Sequence, residues 1–540
     1  MTDSTNLEST GWTRRDALKL TGWSLGGLAV GGALTEAGAG TAVAAEGCAD
    51  ASCSCPPGPS CDWTDEAAAQ RYSYFDKLPA FAPFSHRTRT TIAPLAENEM
   101  RISFMGSANP PPSPARRMMS IFVEVGWDPE REMPLDQFVF DCGSGVRANY
   151  GAMNVGFGRM DKVFLTHLHG DHMSDLTHIY CFGPAEDRKY PLYVWGPGPS
   201  GVENPVWSQN PNQPRYFEDG TRAFCGHLRE ACRWHSESFS FEPTGYLGHR
   251  APTRESWGLP CEPVPVGYDS PDDGYAMIPI ELDLQNYAKG ENVAYENKAT
   301  GVKITWFPVI HARKGSIGYK LEWRGRSMIY TGDTKPERLS LEAARNGGRG
   351  VDVFIHEMDA PAEVWAMKIR GLNDPAKVPK LVVSLVETVE DSSHTPQGAF
   401  GYLLNQIEPR PRLTVATHFP TADDTVACAM KSVQQHCKVY QGNDPHPPEA
   451  GSRITWSFDR MVISVTPERI VEQRAEVNEF RLTATLQVPR SAALTLKTPR
   501  YHYTDKFGVT SGNPYAQIDL STGIPACNCD HTCNFREDGY

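Results

Sequence analysis

The sequence predicts an α/β protein whose strands end in polar side chains and alternate with helices. Short apolar runs, such as residues 163–165 and 353–355, are typical of buried strands. Helical segments are predicted over 339–345, 395–406 and 422–435, so that strand and helix alternate through both halves of the chain. The third observation indicates a functional site, because histidines and aspartates cluster where the first of these strands ends.

That cluster is His167, His169, Asp171 and His172, which follow the apolar run 163–165 within a few positions. Imidazole and carboxylate are ligands that zinc accepts, and alternating positions let the side chains converge as the backbone turns. A histidine-rich surface turn is the alternative, but packing gives no reason to collect these residues there. The spacing therefore predicts a metal site.

His-x-His-x-Asp-His resembles the signature of the metallo-β-lactamase superfamily. Four further residues, one before this motif and three after it, each follow an apolar run. The segments that contain them resemble further motifs of the ribonuclease Z branch of that superfamily, in the same order along the chain: Asp141, His311, Asp333 and His418. The resemblance implies a four-layer αββα sandwich, with an insertion over about 200–285 after the metal loop and a β-rich C-terminal extension.

The resemblance also implies two divalent metal ions, with Zn²⁺ favoured over Mn²⁺ or Fe²⁺. His167, His169 and His311 would hold one ion, while Asp171, His172 and His418 would hold the other, with Asp333 shared. Asp141 would fix the metal loop. Two such ions activate a bridging hydroxide and stabilise negative charge on attacking and leaving oxygens. With Asp171, Asp333 and hydroxide bound, the site stays about one unit positive.

A general acid is implied by two further segments. Residues 353–358 resemble the His-Glu segment of ribonuclease Z-type enzymes, and residues 393–397 resemble their His-Ser/Thr loop. Carried over, Glu357 would orient His394, and His394 would protonate the leaving group. A loop histidine that caps Pro396 is the alternative for His394. His356 is expected to anchor its loop.

The N-terminus resembles a twin-arginine export signal over residues 1–45. Arg14 and Arg15 precede a glycine-rich, weakly apolar stretch, and Ala42-Val43-Ala44 provides a small-x-small cleavage pattern. The apolar stretch is too short for a stable membrane span. An ordinary Arg-Arg pair in an unstructured N-terminus is the alternative. The signal predicts the twin-arginine export machinery as a partner and a periplasmic or secreted protein.

Cysteine usage fits an oxidising compartment. Of the 14 cysteines, seven lie in two polar segments, which predicts disulfides there: Cys48, Cys53, Cys55, Cys61, Cys527, Cys529 and Cys533. A zinc site in the last group is the alternative. The predicted organisation is a leader (1–45), a Cys/Pro-rich segment (46–95), a catalytic domain (96–450) and a β-rich extension with a Cys-rich tail (451–540).

The formal charge of −13 disfavours a nucleic-acid partner, because phosphate binding needs clustered Lys and Arg. Together with this acidic charge, the motif order of the resemblance and the export signal favour an exported dinuclear hydrolase of a small ester-like substrate: a phosphodiester, sulfate ester, lactone or similar compound. The overall layout also resembles metallo-hydrolases associated with guanitoxin biosynthesis. A ribonuclease Z-type tRNA 3′-processing endonuclease and a non-catalytic binding module are the alternatives. Nothing in the sequence sets the number of subunits.

Overall fold

The structure is a computed structural model, and it describes most of the chain between residues 82 and 475. The described residues are 82–84, 95–240, 274–419 and 453–475, with gaps at 111–115, 189, 211, 360–361 and 373, and single positions at 429, 433, 436 and 437. Among them no helix is long and apolar enough to cross a membrane.

Two sheets are formed by the strands of this part of the chain. The first nine strands in the chain order are β1 Ala82–Phe84, β2 Met100–Gly106, β3 Ser120–Asp128, β4 Met133–Phe140, β5 Lys162–Phe164, β6 Leu192–Pro197, β7 Met277–Leu282, β8 Val293–Asn297 and β9 Val302–Pro308. The others are β10 Ile317–Trp323, β11 Arg326–Tyr330, β12 Val353–Glu357, β13 Leu413–Thr417, β14 Arg453–Trp456, β15 Val462–Val465 and β16 Ile470–Ala475.

Helices connect many of the strands. The helices of the described residues are α1 Val146–Ala152, α2 Gly170–Met173, α3 Leu176–Phe182, α4 Thr221–Ala231, α5 Arg233–Ser240, α6 Leu284–Ala288, α7 Arg338–Arg345, α8 Ala362–Ile369, α9 Lys380–Ser393 and α10 Gln397–Leu404. The helices predicted over 339–345 and 395–406 correspond to α7 and α10. Pro396 precedes α10 directly, which suits a residue that lacks a backbone N–H.

The strand order is β1-β16-β15-β2-β3-β4-β5-β6-β7 in one sheet and β14-β13-β12-β11-β10-β9-β8 in the other. From β4 to β7 the neighbours in the first sheet are parallel, and so are β11 to β14 in the second. Parallel strands present their C-terminal ends at the same edge of a sheet. Residues that follow these strands are therefore brought together.

The main core lies between the two sheets. Ile102 and Val123 of the first sheet share one apolar cluster with Trp306, Tyr319 and Trp323 of the second. Burying a large side chain of this kind stabilises the fold by about 1.5–3 kcal/mol. A second cluster packs the outer face of the first sheet against α1, α3 and α4. On the outer face of the second sheet, the rings of His356 in β12 and Phe400 in α10 are 5.6 Å apart. The predicted four-layer αββα sandwich is thus present.

The sandwich differs from the predicted boundaries at three places. Strand β7 pairs with β6 within the predicted insertion, so the sheet resumes before residue 285, and α4 and α5 occupy part of a stretch predicted as irregular. Strands β14, β15 and β16 join the two sheets, so the catalytic fold continues past residue 450. Strand β1 pairs with β16, which places part of the sheet before residue 96.

Several predictions lie outside the described residues. These are the leader (1–45), the Cys/Pro-rich segment up to residue 94 apart from β1, most of the insertion between 241 and 273, most of the helix predicted over 422–435, and the tail from residue 476 with its three cysteines. The five cysteines reported as free thiols in the described part are all buried: Cys142, Cys181, Cys225, Cys232 and Cys437.

Candidate metal centre

The C-terminal ends of strands from both sheets converge on one cluster of histidines and aspartates. The metal loop follows β5, while His311, Asp333 and His418 follow β9, β11 and β13. The seven predicted metal ligands thus come from chain positions as far apart as 167 and 418, and all lie in two adjoining groups.

The first group contains His167, His169 and His311, whose ligand atoms all lie within 4.8 Å of one another. His311 Nε2 is 3.1 Å from His169 Nδ1. Three imidazoles with nitrogens so close suit a shared cation, because ring nitrogens that face each other need either a proton or a metal between them. The three rings are the set predicted for one metal ion.

The second group contains Asp171, His172, Asp333 and His418, again with ligand atoms within 4.8 Å of one another. His418 Nε2 lies 3.1 Å from Asp171 Oδ2, and His172 Nε2 lies 3.2 Å from Asp333 Oδ1. Asp333 also faces the first group, with Oδ2 3.8 Å from Nε2 of both His167 and His311. Its carboxylate therefore lies between the two groups, as a shared ligand must.

The hydrogen bonds of three imidazoles leave the other ring nitrogen free for a metal. His172 Nδ1 donates to the Asp141 carboxylate over 2.7 Å, and His311 Nδ1 donates to the Ser393 carbonyl over 2.8 Å. His167 Nδ1 lies 3.0 Å from Thr166 Oγ1, which itself donates to Asp141. Engaging Nδ1 in this way fixes the tautomer in which Nε2 carries the lone pair.

The residues also fit a divalent cation by charge and by unsatisfied atoms. Nε2 of His167 is buried without a hydrogen-bond partner, and Nε2 of His172 and Oδ1 of Asp333 lie 3.2 Å apart without a well-aligned hydrogen bond between them. Burial and the neighbouring imidazoles hold the pKa of His167 well below its usual range, which favours the neutral, ligating form. Burial would lower the pKa of His172, but the carboxylates of Asp333 and Asp171 outweigh it and raise that pKa. The carboxylates thus favour positive charge here, and two divalent cations supply it.

Asp141 fixes the metal loop through hydrogen bonds. Its Oδ2 accepts hydrogen bonds from His172 Nδ1, Thr166 Oγ1 and the Tyr330 hydroxyl at 2.7–2.9 Å, and its Oδ1 accepts from the Thr166 backbone N–H at 2.8 Å. Asp141 is fully buried and has φ of 55°, as His418 has φ of 54°. Non-glycine residues in this left-handed region are uncommon, and they concentrate at functional sites.

His394 lies beside the metal centre and is held by two buried carboxylates. Its Nδ1 donates to Glu357 Oε2 over 2.9 Å and is 3.9 Å from Asp359 Oδ2. Burial would lower the pKa of His394, but Glu357 and Asp359 raise it well above the usual value. A ring nitrogen of His394 also lies within 4.8 Å of ligand atoms of His311 and Asp333. The predicted pair of Glu357 and His394 is therefore brought together at the metal centre.

Glu357 is fixed in turn by the backbone of the segment that carries Asp333. The Thr334 N–H donates to Glu357 Oε1. Burial raises the pKa of Glu357 to about 7, although the His394 imidazole opposes that shift. His356, the neighbour of Glu357 on β12, points to the other face of the sheet, where its Nδ1 donates to the Glu357 carbonyl. It therefore anchors the strand end, as the sequence predicts.

Three contributors to the centre are absent from the sequence-based prediction: Asp359, Thr166 and Tyr330. Asp359 follows Glu357 by two residues, and an acidic residue just past a strand end was the available signal. Thr166 directly precedes His167 and joins it to Asp141. Tyr330 ends β11, where a tyrosine is ordinarily a packing residue, so nothing local distinguishes its hydroxyl.

A small cavity of about 70 Å³ opens beside the first group of histidines. His167 and His169 line it together with Asp219 and Arg313, whose side chains form an ion pair. Asp219 also accepts hydrogen bonds from the backbone and side chain of Ser200. Asp219, from the predicted insertion, thus borders the site, and the guanidinium of Arg313, which follows β9, lies at its mouth.

Comparison with known proteins agrees with this architecture. Over 261 residues the chain is 24% identical to Ribonuclease BN of Proteus mirabilis, which covers 48% of this chain and 76% of that protein. Over 283 residues it is 25% identical to Ribonuclease Z of Archaeoglobus fulgidus, which covers 50% of this chain and 78% of that protein. The chain is a ribonuclease Z-like member of the metallo-β-lactamase superfamily.

Members of this superfamily also appear among solved structures similar to this one. The metallo-β-lactamase fold protein YhfI from Bacillus subtilis aligns with 68% of this chain and all of that chain, at a TM-score of 0.39 and 12% identity. No protein-family model matches the chain. As a metallo-β-lactamase-fold protein related to ribonucleases Z and BN, the chain is a metal-binding hydrolase, which leaves the non-catalytic alternative without support.

Proposed function

We propose that this metallo-β-lactamase-fold hydrolase is an exported enzyme with two divalent metal ions, most suitably Zn²⁺, that cleaves a small phosphodiester, sulfate ester, lactone or related ester. The observation that carries the proposal is the juxtaposition of two ligand groups, joined by Asp333, with the His394 imidazole. Bound divalent cations would lower the pKa of a water molecule between them and stabilise negative charge on substrate oxygens.

The other roles in the proposed reaction belong to residues of the chain itself. Asp141, Thr166 and the Ser393 carbonyl orient the histidines, while Asp333 balances positive charge between the two groups. His394 keeps its proton near neutral pH because Glu357 and Asp359 stabilise the imidazolium. Since Glu357 engages Nδ1, we assign proton donation to Nε2, which would pass the proton to the leaving oxygen.

An anionic substrate is favoured by the mouth of the site. The Arg313 guanidinium lines the cavity beside His167 and His169, although the whole chain carries a formal charge of −13. A cation at this place would attract a phosphate, sulfate or carboxylate group of the substrate.

Export and disulfide formation belong to the same proposal. Support comes from Arg14 and Arg15 ahead of an apolar stretch, and from cysteines concentrated in two polar segments. We propose passage through the twin-arginine machinery, a periplasmic or secreted location, and disulfides within residues 48–61 and 527–533. A signal-peptide fusion to a reporter, compared with an Arg14→Lys/Arg15→Lys variant, tests this: equal export of both would contradict it.

A tRNA 3′-processing endonuclease is the second candidate, supported by the similarity to ribonucleases Z and BN. The acidic charge of the chain weighs against it, because an RNA backbone is bound through clustered cations. Purified, metal-loaded protein with a precursor tRNA separates the two. Specific cleavage at the tRNA 3′ end would replace the small-ester proposal by this one.

The small-ester proposal is tested with a panel of phosphodiester, sulfate, lactone and thioester substrates on metal-analysed protein. Asp333→Ala should abolish turnover and reduce bound metal, because it removes the carboxylate shared by both groups. His394→Ala should slow substrates with poor leaving groups by roughly 10²–10⁴-fold and leave nitrophenol-type substrates nearly unchanged, since only the former need a proton donor. An Asp333→Ala enzyme that turns over at the full rate would disprove the metal assignment.

A further inference from the structure

A larger cavity, of about 420 Å³, lies at the end of the second sheet opposite the metal centre. Its walls are the β10–β11 turn and the segments that precede β9, β12 and β13. The metal ligands instead follow β9, β11 and β13. Strand β11 has five residues, which span roughly 17 Å at about 3.3 Å per residue. The cavity is thus well separated from the catalytic residues, and its size falls in the range of small-molecule sites.

Positive charge predominates in the lining of this cavity. Two acidic residues, Glu322 and Asp352, face six basic ones: Lys303, Arg324, Arg326, Arg349, Arg410 and Arg412. This local excess occurs in a chain with a formal charge of −13. Such an accumulation of like charges raises the energy of the empty cavity unless an anion compensates it.

The two carboxylates are already engaged by part of this set. Asp352 Oδ1 is 2.7 Å from Arg412 Nη1. Glu322 Oε1 is 3.1 Å from Lys320 Nζ and 3.8 Å from Arg349 Nη2. Within the described part of the chain, no ion pair to a carboxylate is formed by Lys303, Arg324, Arg326 or Arg410. Four cations of the lining therefore remain available to a ligand.

Arg326 gives the decisive detail, because it is a buried cation that forms no ion pair within the described residues. It is 5% exposed, and its Nε is buried without a hydrogen-bond partner. Its guanidinium packs 4.8 Å from the centre of the Trp323 ring. Burial lowers the pKa of Arg326, and the nearby carboxylates of Asp352 and Glu468 only partly offset this. Burying an arginine without full compensation is costly, so a site of this kind favours binding of an anion.

We propose that this cavity is a binding site for a small, multiply charged phosphate-bearing ligand. The guanidinium groups offer planar pairs of N–H donors that match phosphate oxygens, and Lys303 adds a point charge. The concave shape and the limited volume favour a diphosphate-sized molecule over an extended polyanion. The ligand would bridge the β10–β11 turn and the segments before β12 and β13.

Calorimetric titration of the purified, metal-loaded protein with inorganic pyrophosphate tests the proposal at constant ionic strength. We expect saturable binding that is weakened at least tenfold in Lys303→Glu/Arg410→Glu, two exposed positions whose reversal should spare folding and basal ester hydrolysis. The matched control is Lys289→Glu/Lys380→Glu, which makes the same change in net charge on exposed lysines outside the cavity and should bind pyrophosphate normally.

The metal centre is the other place where pyrophosphate could bind, and His169→Ala distinguishes it. Binding at the proposed cavity should persist in His169→Ala. If the unmodified protein shows no saturable binding, the proposal is wrong. It is equally wrong if binding persists unchanged in Lys303→Glu/Arg410→Glu, or if the only binding event disappears with His169→Ala.

Discussion

Asp141→Asn tests how far the metal centre depends on a residue that does not itself contact the metal. The carboxylate accepts hydrogen bonds through both oxygens from groups that include His172 Nδ1 and the Thr166 backbone N–H. An amide has one oxygen. If its nitrogen takes the Oδ1 position, it faces the Thr166 N–H; if it takes the Oδ2 position, it faces the His172 N–H.

Either orientation leaves a fully buried donor opposite another donor, which costs about 1–3 kcal/mol. A His172 ring that changes tautomer to avoid this contact would carry its proton on Nε2, the nitrogen that faces the metal position. We therefore expect metal affinity to fall by roughly 10- to 100-fold, as is typical when the partner of a ligating histidine is removed. This corresponds to about 1.4–2.7 kcal/mol.

The assay is competition for metal with a chromophoric chelator, combined with urea unfolding of the chelator-treated protein. Asp136→Asn is the matched control. Asp136 lies on β4, the strand that Asp141 directly follows. It is buried and accepts hydrogen bonds from Tyr295, Asn297 and Thr300 away from the metal centre. Both variants should lose stability, and only Asp141→Asn should lose metal affinity. Equal metal affinities of the two variants would refute the reasoning.

Two further predictions concern the segment around Asp333. Gly332 has φ of 63°, and a Cβ there would lie 2.6 Å from Thr166 Cβ. Gly332→Ala should therefore lower the free energy of unfolding by more than about 1 kcal/mol and reduce the amount of bound metal. Gly290→Ala, with φ of 84° and open space, carries only the backbone cost; equal effects of both would rule out the contact with Thr166 as the cause. Burial raises the pKa of Glu337 to about 7 against hydrogen bonds from Ser340 and Leu339 that lower it, so the folded state holds a proton that the unfolded state releases near pH 4.5. This contribution to the free energy of unfolding should therefore be fully present below pH 4.5 and fall by up to about 3 kcal/mol as the pH rises to 7. Urea unfolding of Glu337→Gln should show a flatter pH dependence than that of the unmodified protein. An unchanged slope would contradict this origin.

The ligand positions were predictable because each stands directly after a strand. Asp333 and His418 follow β11 and β13, whose parallel pairing with β12 brings their ends to one edge of the second sheet. The loop with His167 follows β5 of the first sheet and reaches the same place because the two sheets pack face to face. The resemblance to the metallo-β-lactamase superfamily implied the two groups in which the structure places all seven, and the assignment of their roles stays a prediction.

Contacts between side chains far apart in sequence could not be predicted in the same way. Asp359 acts on His394, which lies 35 residues later in a separate loop; its place just past a strand end is a local signal for a site residue, but nothing local identifies His394 as its partner. The basic cavity combines Lys303, Arg326 and Arg410 from distant segments, so no basic run appears in the sequence. The sequence also left open whether the β-rich extension adds to the sandwich, because β15 and β16 pair with strands at the start of the described chain.

The pairing of β15 and β16 with strands from the start of the described chain affects how the protein folds while it is synthesised. Strand β2 lies between β3 and β15, and β1 pairs with β16, so the first sheet stays open on one side until residue 475 has been synthesised. At 5–20 residues per second, translation from residue 106, the end of β2, to residue 475 takes roughly 20 to 75 s. Throughout that time the nascent chain exposes an unpaired edge that invites aggregation. Any transport route that accepts only finished cargo must wait until translation has passed that point.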